Sequence, residues 1–421
     1  MIYHKILEDN YNIHVIKTDK FKTITLKINF KRKLIKDEIT MRNTLINILF
    51  SSSKLYENKR MLEIETENLY GLGYRGVNYQ SGIYNIMSFD VKFLNEKYTE
   101  KGMHEKSIDF IYEILFNPNV KDNKFMTKDL NYAKKIVYDN IVSLDENTSL
   151  YSQIRMLEMM DNSINSYRSS GYLHDLDEIN EENLYSYYKS IINDDIVDIF
   201  IVGDVDDSII DYIKNKFKFK KRVNVQESHF YKCSDIKDKY QEYFEEKNVS
   251  QSKLVMGFKL DNLSDFELRY TLNIFNYILG GSPDSKLFKN VREKESLCYS
   301  ISSSNLSLNG LFIIKAGINK EDYDKTLKLI LKEFNDMKKG KFLVKDIKNG
   351  ILTYKNTIKE LNDSEESIIS LYAGQEYLKS DSICDRLKNI SKVQKADIIA
   401  VANKIKLDTV YLLKGIQDEE E

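Results

Sequence analysis

The sequence has few of the residues that build disulfide frameworks or nucleic-acid-binding surfaces. Its three cysteines, Cys233, Cys298 and Cys384, are odd in number and far apart, which argues against a disulfide framework and a zinc cluster and favours reduced thiols. Lys and Arg number 63 against 65 Asp and Glu, so the net charge of −2 gives no electrostatic reason to expect a nucleic-acid partner. Only two prolines occur beside abundant Lys, Asn, Ile and Tyr, which is typical of an AT-rich genome such as that of a low-GC bacterium.

Long apolar runs are also absent. No stretch approaches the roughly 20 apolar residues that a membrane-spanning helix needs. The first residues, "MIYHKILEDNYNIHVIKTDKF", carry a charge every few positions and have no apolar core of signal-peptide length. We therefore expect no membrane association and a cytoplasmic protein.

Histidine is scarce as well. The five histidines are His4, His14, His104, His174 and His229, and no two of them have the spacing of metal ligands on one helix or loop. Isolated histidines of this kind are expected on strands or at the surface. Histidine therefore provides no metal site by any local pattern.

A length of 421 residues, with 42% hydrophobic and 30% charged residues, predicts a folded protein of more than one domain. Each half of the sequence has the order strand, apolar helix, hairpin, helices and strand, which indicates an internal duplication with a period of about 210–225 residues. The charged, aperiodic segment 218–248 is the predicted linker between domains at 1–217 and 249–421. The alternative is a surface strand pair within one domain.

Several elements are predicted from periodicity and capping. Apolar residues at helical spacing predict helices over Met41–Phe50 and Lys128–Val142, and Asn180 has the position of an N-cap for the helix that follows it. A hairpin is expected to turn near Ser81–Gly82. Residues Ser264 and Glu267 form the pattern of a capping box before an apolar helix.

The most specific motif is "GGSPDSKLFKNVREKESLCYSISSS", Gly280 to Ser304. It resembles a signature of the pitrilysin/insulinase family of inverted-zinc-motif metallopeptidases, in which a Gly-rich turn precedes "SRLF-x-x-VRE-x-x-GL-x-Y". The matching positions agree in order and spacing, and they are Ser285, Leu287, Phe288, Val291, Arg292, Glu293, Leu297 and Tyr299. Ser296 departs from the pattern, because the family usually has glycine there, and the polar "SPDS" replaces a longer glycine run.

The resemblance extends to the first half, where "NPNV" and "IVDIFIVGDVD" are similar to family segments. The family's zinc helix reads His-x-x-Glu-His before an apolar ending. Aligning "ILF" with that ending places Asn43 and Asn47 at the histidine positions and Ile46 at the position of the general base. The third ligand, a glutamate on a later helix, corresponds to Asn140.

These four replacements remove the chemistry that the family uses. Histidines one turn apart hold Zn²⁺, and the glutamate acts on the metal-bound water. Amides are poor zinc ligands and isoleucine cannot move a proton, so the resemblance implies neither zinc binding nor hydrolysis by the family mechanism. We predict that Asn43 and Asn47 hydrogen-bond to each other or to water, with Asn140 opposite, and that the chain has no cofactor.

The remaining site residues are assigned by the same resemblance. In catalytic family members the Arg and Tyr at Arg292 and Tyr299 bind the substrate backbone and help to stabilise the tetrahedral intermediate. A Gly-rich loop, here Gly280 and Gly281, contributes to peptide binding in the inactive subunits. The alternative is that Arg292 and Tyr299 are retained only as internal packing and hydrogen-bonding groups.

The fold implied is α+β, with two similar halves that each pack helices on one face of a mixed or antiparallel sheet, around a central chamber. The implied function is that of a zincless, non-catalytic subunit that binds peptide and pairs with a His-x-x-Glu-His homologue. Within the family the chain resembles the inactive bacterial subfamily associated with the 5-aminopentanol modification of elongation factor P. The alternatives are a scaffold that handles no peptide and an active peptidase with relocated ligands.

Overall fold

The computed structural model describes residues 1–8, 10–220 and 228–416, and the chain forms two compact units. The first unit comprises Met1–Ser143, Arg168–Glu227 and Leu361–Glu376. The second comprises Leu144–Tyr167, Ser228–Glu360 and Tyr377–Glu421. Each unit therefore includes a short segment from the other half of the sequence.

The first unit is built on a six-stranded sheet of β1 Ile2–Leu7, β2 Asn12–Lys17, β3 Thr23–Lys33, β4 Gly73–Ser81, β5 Tyr84–Leu94 and β8 Ile196–Gly203. The strands are arranged in the order β1-β2-β8-β3-β5-β4, and a separate pair is formed by β6 Val120–Lys121 and β7 Lys124–Phe125. Its helices are α1 Ile39–Leu49, α2 Lys59–Asn68, α3 Met103–Phe116, α4 Thr127–Val142, α6 Leu173–Glu178, α7 Glu181–Asp194 and α8 Asp207–Lys216.

The second unit has a five-stranded sheet of β9 Gln241–Lys247, β10 Ser252–Leu260, β11 Ser300–Leu306, β12 Leu311–Ile318 and β13 Ile405–Gly415. The strands are arranged in the order β11-β12-β10-β13-β9. Its helices are α5 Thr148–Met160, α9 Leu272–Leu279, α10 Tyr323–Lys338, α11 Val344–Glu360, α13 Ile383–Asn389 and α14 Lys395–Lys404, whereas α12 Glu365–Leu378 lies mostly in the first unit.

Successive side chains of a strand point to opposite sides of the sheet, so each sheet has one face that packs on the main apolar core of its unit and an opposite face, here called the second face. In the first unit Ile24, Leu26 and Ile28 of β3 join the helices in one buried apolar core, while Thr25 and Asn29 lie on the opposite face. The second unit repeats this arrangement with its own apolar core. The α+β class predicted from the sequence is therefore confirmed.

Each sheet also has a helix on its second face, which the sequence did not predict. In the second unit, Met156 and Met160 of α5 pack with Val255, Tyr411 and Leu413, which alternate with residues of the main core. An added Cβ on Gly257 would lie 2.3 Å from Met160 Cε and 2.4 Å from Met156 Sδ, so the glycine allows α5 to approach β10 closely.

Helix α12 has the corresponding place in the first unit. Glu365, in its first turn, is 1% exposed and accepts a hydrogen bond of 2.9 Å from the Thr23 hydroxyl of β3. The Lys92 ammonium of β5 lies 2.7 Å from the same carboxylate. Near the other end of the helix, the Lys5 ammonium donates to Glu376 over 2.9 Å and the Tyr3 and Tyr372 rings stack at 4.3 Å.

We expect Glu365→Ala to lower the free energy of unfolding by about 1.5–3 kcal/mol, because it removes hydrogen bonds to a buried carboxylate and leaves the Lys92 ammonium without its partner. Urea unfolding followed by circular dichroism measures the change. Glu366→Ala is the matched control, since Glu366 is exposed and its nearest cation, Arg75, is 3.7 Å away. Equal losses in the two variants would contradict the anchoring role of Glu365.

The local predictions agree well with these elements. The helices predicted over Met41–Phe50 and Lys128–Val142 correspond to α1 and α4, and the Asn180 side chain caps α7 by accepting from two backbone N–H groups. Strands β4 and β5 form the predicted hairpin, with Ser81 paired to Tyr84. Among the described residues, no helix is both long enough and apolar enough to cross a membrane.

The compact units divide the chain differently from the predicted limits of 1–217, 218–248 and 249–421. The difference arises because 144–167 and 361–376 are placed by tertiary packing, which local sequence patterns do not encode. Strand β9, Gln241–Lys247, lies within the predicted linker and pairs in parallel with β13. Residues 221–227 of that segment lie outside the described residues.

Candidate functional site

Helix α1 is placed by an apolar face that fits into the core of the first unit. Leu45, Ile48 and Leu49 are buried there, whereas Asn43 and Asn47 are half-buried on another side of the helix. The two amides are four residues apart and therefore adjacent on the helix surface. This is the helix to which the family resemblance assigns the zinc ligands.

The side chains of both asparagines are engaged in hydrogen bonds. Asn47 Nδ2 donates to the backbone carbonyl of Asn43 over 2.8 Å, and Asn43 Nδ2 donates to the backbone carbonyl of Ser169 over 2.9 Å. Asn43 Oδ1 accepts from Asn78 Nδ2 of β4 at 3.0 Å. The amides thus fasten α1 to the edge strand β4 and to the segment before α6, and the link between them goes through the main chain of Asn43.

Ile46 fills the position that the resemblance gives to the general base. It is 6% exposed and belongs to the apolar core. A Cβ added to Gly76 of β4 would lie 2.7 Å from Ile46 Cγ2 and 2.5 Å from Phe50 Cε2, so the backbone of β4 lies directly against these side chains. Apolar packing therefore surrounds the side chain that the resemblance aligns with the general base.

Asn140 lies near the end of α4, a helix that packs against α1. Its side chain is exposed, and within the described contacts no hydrogen bond joins it to Asn43 or Asn47. Its backbone carbonyl accepts a 3.2 Å hydrogen bond from the Ser143 hydroxyl. The helices that carry Asn140 and the two other asparagines therefore pack together, and the correspondence of Asn140 to the third ligand position stays a prediction.

These residues do not fit a zinc ion. Neutral amides and an isoleucine replace imidazole and carboxylate donors, and the oxygen and nitrogen atoms of Asn43 are used in hydrogen bonds. No group of three or more His, Cys, Asp or Glu side chains suited to a metal occurs among residues 1–8, 10–220 and 228–416.

A buried ion pair beneath the same helix was not anticipated from the sequence. Arg42 and Asp195 are both 0% exposed, and the Arg42 guanidinium donates to the Asp195 carboxylate. Arg42 also donates to Asn85 Oδ1 and to the Tyr187 hydroxyl oxygen, each at 3.2 Å. Asp195 accepts in addition from Arg32 of β3, so it joins α1, β3 and the end of α7. The sequence does contain one indication of this ion pair, because a charged arginine stands within the apolar sequence of α1 and would need a buried partner.

The Gly-rich turn of the second unit is tightly packed. A Cβ on Gly280 would lie 2.7 Å from Ser303 Oγ, and one on Gly281 would lie 2.5 Å from Asn276 Nδ2. The Gly280 carbonyl accepts a 3.0 Å hydrogen bond from the Ser303 backbone N–H. Both glycines therefore suit the tightly packed connection between α9 and β11, and Gly281 is exposed.

Arg292 lies on a π-helical turn, Phe288–Lys294, that follows this glycine connection. Its side chain is exposed, with Cζ 4.7 Å from the centre of the Phe288 ring. Such π-helical turns are frequent at functional sites. Ser296, at the position where the family usually has glycine, has a φ of 53° in the left-handed region, which explains why glycine suits it.

Tyr299 is 58% exposed, and its hydroxyl lies 3.4 Å from Asn319 Oδ1. Its backbone N–H donates to the Gly317 carbonyl over 2.9 Å, which fixes the start of β11. The side chains of Arg292 and Tyr299 are thus both exposed in this structure, and whether they bind peptide or only pack and hydrogen-bond stays a prediction.

Comparisons with known proteins find relatives along the whole chain. The family model described as peptidase M16 inactive domain matches residues 178–351. The Bacillus subtilis strain 168 protein named probable inactive metalloprotease YmfF is 30% identical over 411 residues, which are 96% of this chain and 96% of that protein. Another protein of that strain, the uncharacterized zinc protease YmxG, is 23% identical over 368 residues, covering 83% of this chain and 87% of its own.

A solved structure has the same fold. The crystal structure of a conserved protein from Enterococcus faecalis V583 matches with a TM-score of 0.91 and 26% identity, over 99% of this chain and 100% of that one. The similarity thus includes both compact units.

Proposed function

Because the chain belongs to the peptidase M16 family as an inactive member, we propose that it is the non-catalytic subunit of a zinc peptidase heterodimer. In this proposal it contributes peptide binding and half of the chamber to a partner that has the His-x-x-Glu-His motif. The observation that carries the proposal is a contrast: the positions that the family resemblance assigns to zinc are held by amide hydrogen bonds and apolar packing, whereas Arg292 and Tyr299 are exposed.

The chemistry assigned to this chain is binding and orientation. An exposed guanidinium and a phenol donate hydrogen bonds to the carbonyl oxygens of a bound peptide, which orients the peptide for a reaction that the partner carries out. The coexistence in one Bacillus strain of a relative named inactive and a relative named zinc protease supports pairing between unlike family members. The link to elongation factor P modification, implied by the subfamily resemblance, stays a prediction.

We expect the purified chain to hydrolyse no peptide, to hold no stoichiometric zinc and to co-purify with a zinc-motif homologue from its own organism. Elemental analysis and a peptide-library digest, run on the chain alone and on the complex, measure these properties. Stoichiometric zinc together with chelator-sensitive cleavage by the chain alone would overturn the proposal.

We further expect Arg292→Ala combined with Tyr299→Ala to lower kcat/KM of the complex about 10²-fold or more, because donors that act at the substrate in the transition state are each worth roughly that much. Lys294→Ala, a charge removal on the same exposed turn, is the control and should leave kcat/KM within about twofold. Unchanged activity and peptide binding in the double variant would favour a scaffold that handles no peptide.

A further inference from the structure

A recess of about 240 Å³ lies on the second face of the five-stranded sheet, apart from Arg292 and the glycine connection. It is lined by Lys253 of β10, Lys315 and Gly317 of β12, Ser300 and Ser302 of β11, and Ser149 of α5, besides backbone and apolar atoms. No Asp or Glu is among the described residues that line it. The recess therefore combines two cations with hydroxyl groups and has no anion of its own.

The strand register places the two lysines beside each other. Lys253 pairs with Gly317, and Val255 pairs with Lys315, so the lysines are diagonal neighbours on one face of adjacent strands. Like charges at such positions repel each other. Within the described chain neither ammonium has a carboxylate within 4 Å: Lys253 donates to Gln251 Oε1, and Lys315 donates to Gln153 Oε1 over 2.9 Å.

Both ammonium groups are also partly withdrawn from water. Burial lowers the pKa of Lys253 and of Lys315 below the ordinary lysine value. Desolvation of unpaired cations is unfavourable, and a bound anion would offset it. The two ammonium groups are thus close to each other, partly desolvated and without a counter-charge among the described residues, and a bound anion would stabilise them.

The other groups around the recess are hydrogen-bond donors. Ser300 pairs with Gly317 and Ser302 pairs with Lys315, so both hydroxyls point to the same face as the lysines, and both residues are exposed. Gly317 has no side chain beside Lys253 and Ser300, and the Gln251 amide lies there instead: an added Cβ would lie 2.6 Å from Gln251 Oε1 and 3.1 Å from Ser300 Oγ. Ser149 lies in the first turn of α5, where the helix dipole adds positive potential.

We propose that this recess binds a doubly charged oxyanion, either inorganic phosphate or the phosphoryl group of a small phosphate monoester. Two ammonium charges match the charge of about −1.5 to −2 that a phosphate monoester carries at neutral pH. Lysine is a common phosphate ligand, and serine hydroxyls supply the shorter hydrogen bonds. The recess is larger than a single phosphate needs, so it has room for a small group attached to one oxygen. The proposal does not rest on the peptide-binding role, although the backbone N–H of Tyr299 donates to the carbonyl of Gly317, which lines the recess.

The test is a calorimetric titration of the isolated chain, in a chloride buffer, with inorganic phosphate, glycerol 3-phosphate and acetate. We expect saturable binding of phosphate or of the ester with a dissociation constant of about 1 mM or below, and much weaker binding of acetate. Tighter binding of the ester than of phosphate identifies an attached group as part of the ligand. The affinity should fall as the chloride concentration rises.

Lys253→Met and Lys315→Met keep most of the side-chain volume and remove the charge. Each is expected to weaken binding about tenfold or more, because a charge-assisted hydrogen bond is lost, while the melting temperature without ligand stays equal or rises. Lys320→Met, an exposed lysine of the same unit outside the recess, controls for the change in net charge. No saturable binding, equal binding of acetate, or full affinity in both recess variants would overturn the proposal.

Discussion

Replacing Asp195 by alanine is expected to lower the free energy of unfolding by about 3–5 kcal/mol, because it leaves a fully buried arginine without its counter-charge. Arg42 has no access to water, and Arg32 loses the same partner. The two cations would then repel each other in a medium of low polarity. The loss is a large part of the stability of a typical domain, and urea unfolding at pH 7 measures it.

The neighbouring residue provides the control for this experiment. Asp194 is exposed, so Asp194→Ala should change the free energy of unfolding by no more than about 0.5 kcal/mol. Arg42→Met combined with Asp195→Ala should be less destabilising than the sum of the two single changes, since no unpaired charge of that pair remains buried. Additive losses would show that Arg42 and Asp195 do not act as a pair.

Rebuilding the family ligands should create a zinc site in the first unit. The variant carries Asn43→His, Asn47→His and Asn140→Glu, and it retains Ile46 because the general base is not a ligand. We expect one Zn²⁺ per chain, bound with a free energy near the lower end of the roughly 10–16 kcal/mol range of structural zinc sites. The imidazoles must also give up the hydrogen bonds that Asn43 makes to Ser169 and Asn78, which reduces the gain.

Elemental analysis and a competition titration with a chelator measure the zinc affinity. The double variant Asn43→His with Asn47→His, which lacks the third ligand, is the control and should bind zinc much more weakly. Equal affinity in the double and triple variants would show that Asn140 does not correspond to the third ligand position. Adding Ile46→Glu is expected to destabilise the fold by about 1–3 kcal/mol, because a carboxyl group would be placed against Gly76 and Phe50.

The elements of this protein follow from local sequence patterns more closely than the site does. Periodic apolar residues identify α4, and the Asn180 cap marks the start of α7, because these depend on neighbours a few positions away. Arg42 and Asp195 are 153 positions apart, and nothing in either segment identifies the other as its partner. The same holds for Asn43 and Ser169, which a side chain to backbone hydrogen bond joins across 126 positions.

The family motif points to Arg292, Tyr299 and the two glycines, and their role in peptide binding stays a prediction. The structure adds that the first two side chains are exposed and that the glycines fit against Ser303 and Asn276. The exposure of these two side chains depends on how the connection between α9 and β11 packs, and a sequence motif does not specify that packing. The positions of Asn43, Ile46 and Asn47 as zinc-site counterparts rest on alignment to one short apolar ending, and the triple variant is the direct test of that alignment.

The exchange of segments between the two units has a consequence for biosynthesis. The first unit is not complete until residues 361–376 have left the ribosome, although the last strand of its sheet ends at Gly203. At about 5–20 residues per second, the delay is on the order of ten seconds. During that time Thr23, Lys92 and Lys5 are exposed on an uncovered sheet face, which is a state in which nascent chains misassemble. If the two halves of the sequence were expressed as separate chains, the first half alone would lack residues 361–376 and would keep this sheet face uncovered. We therefore expect the halves to fold properly only when both are present.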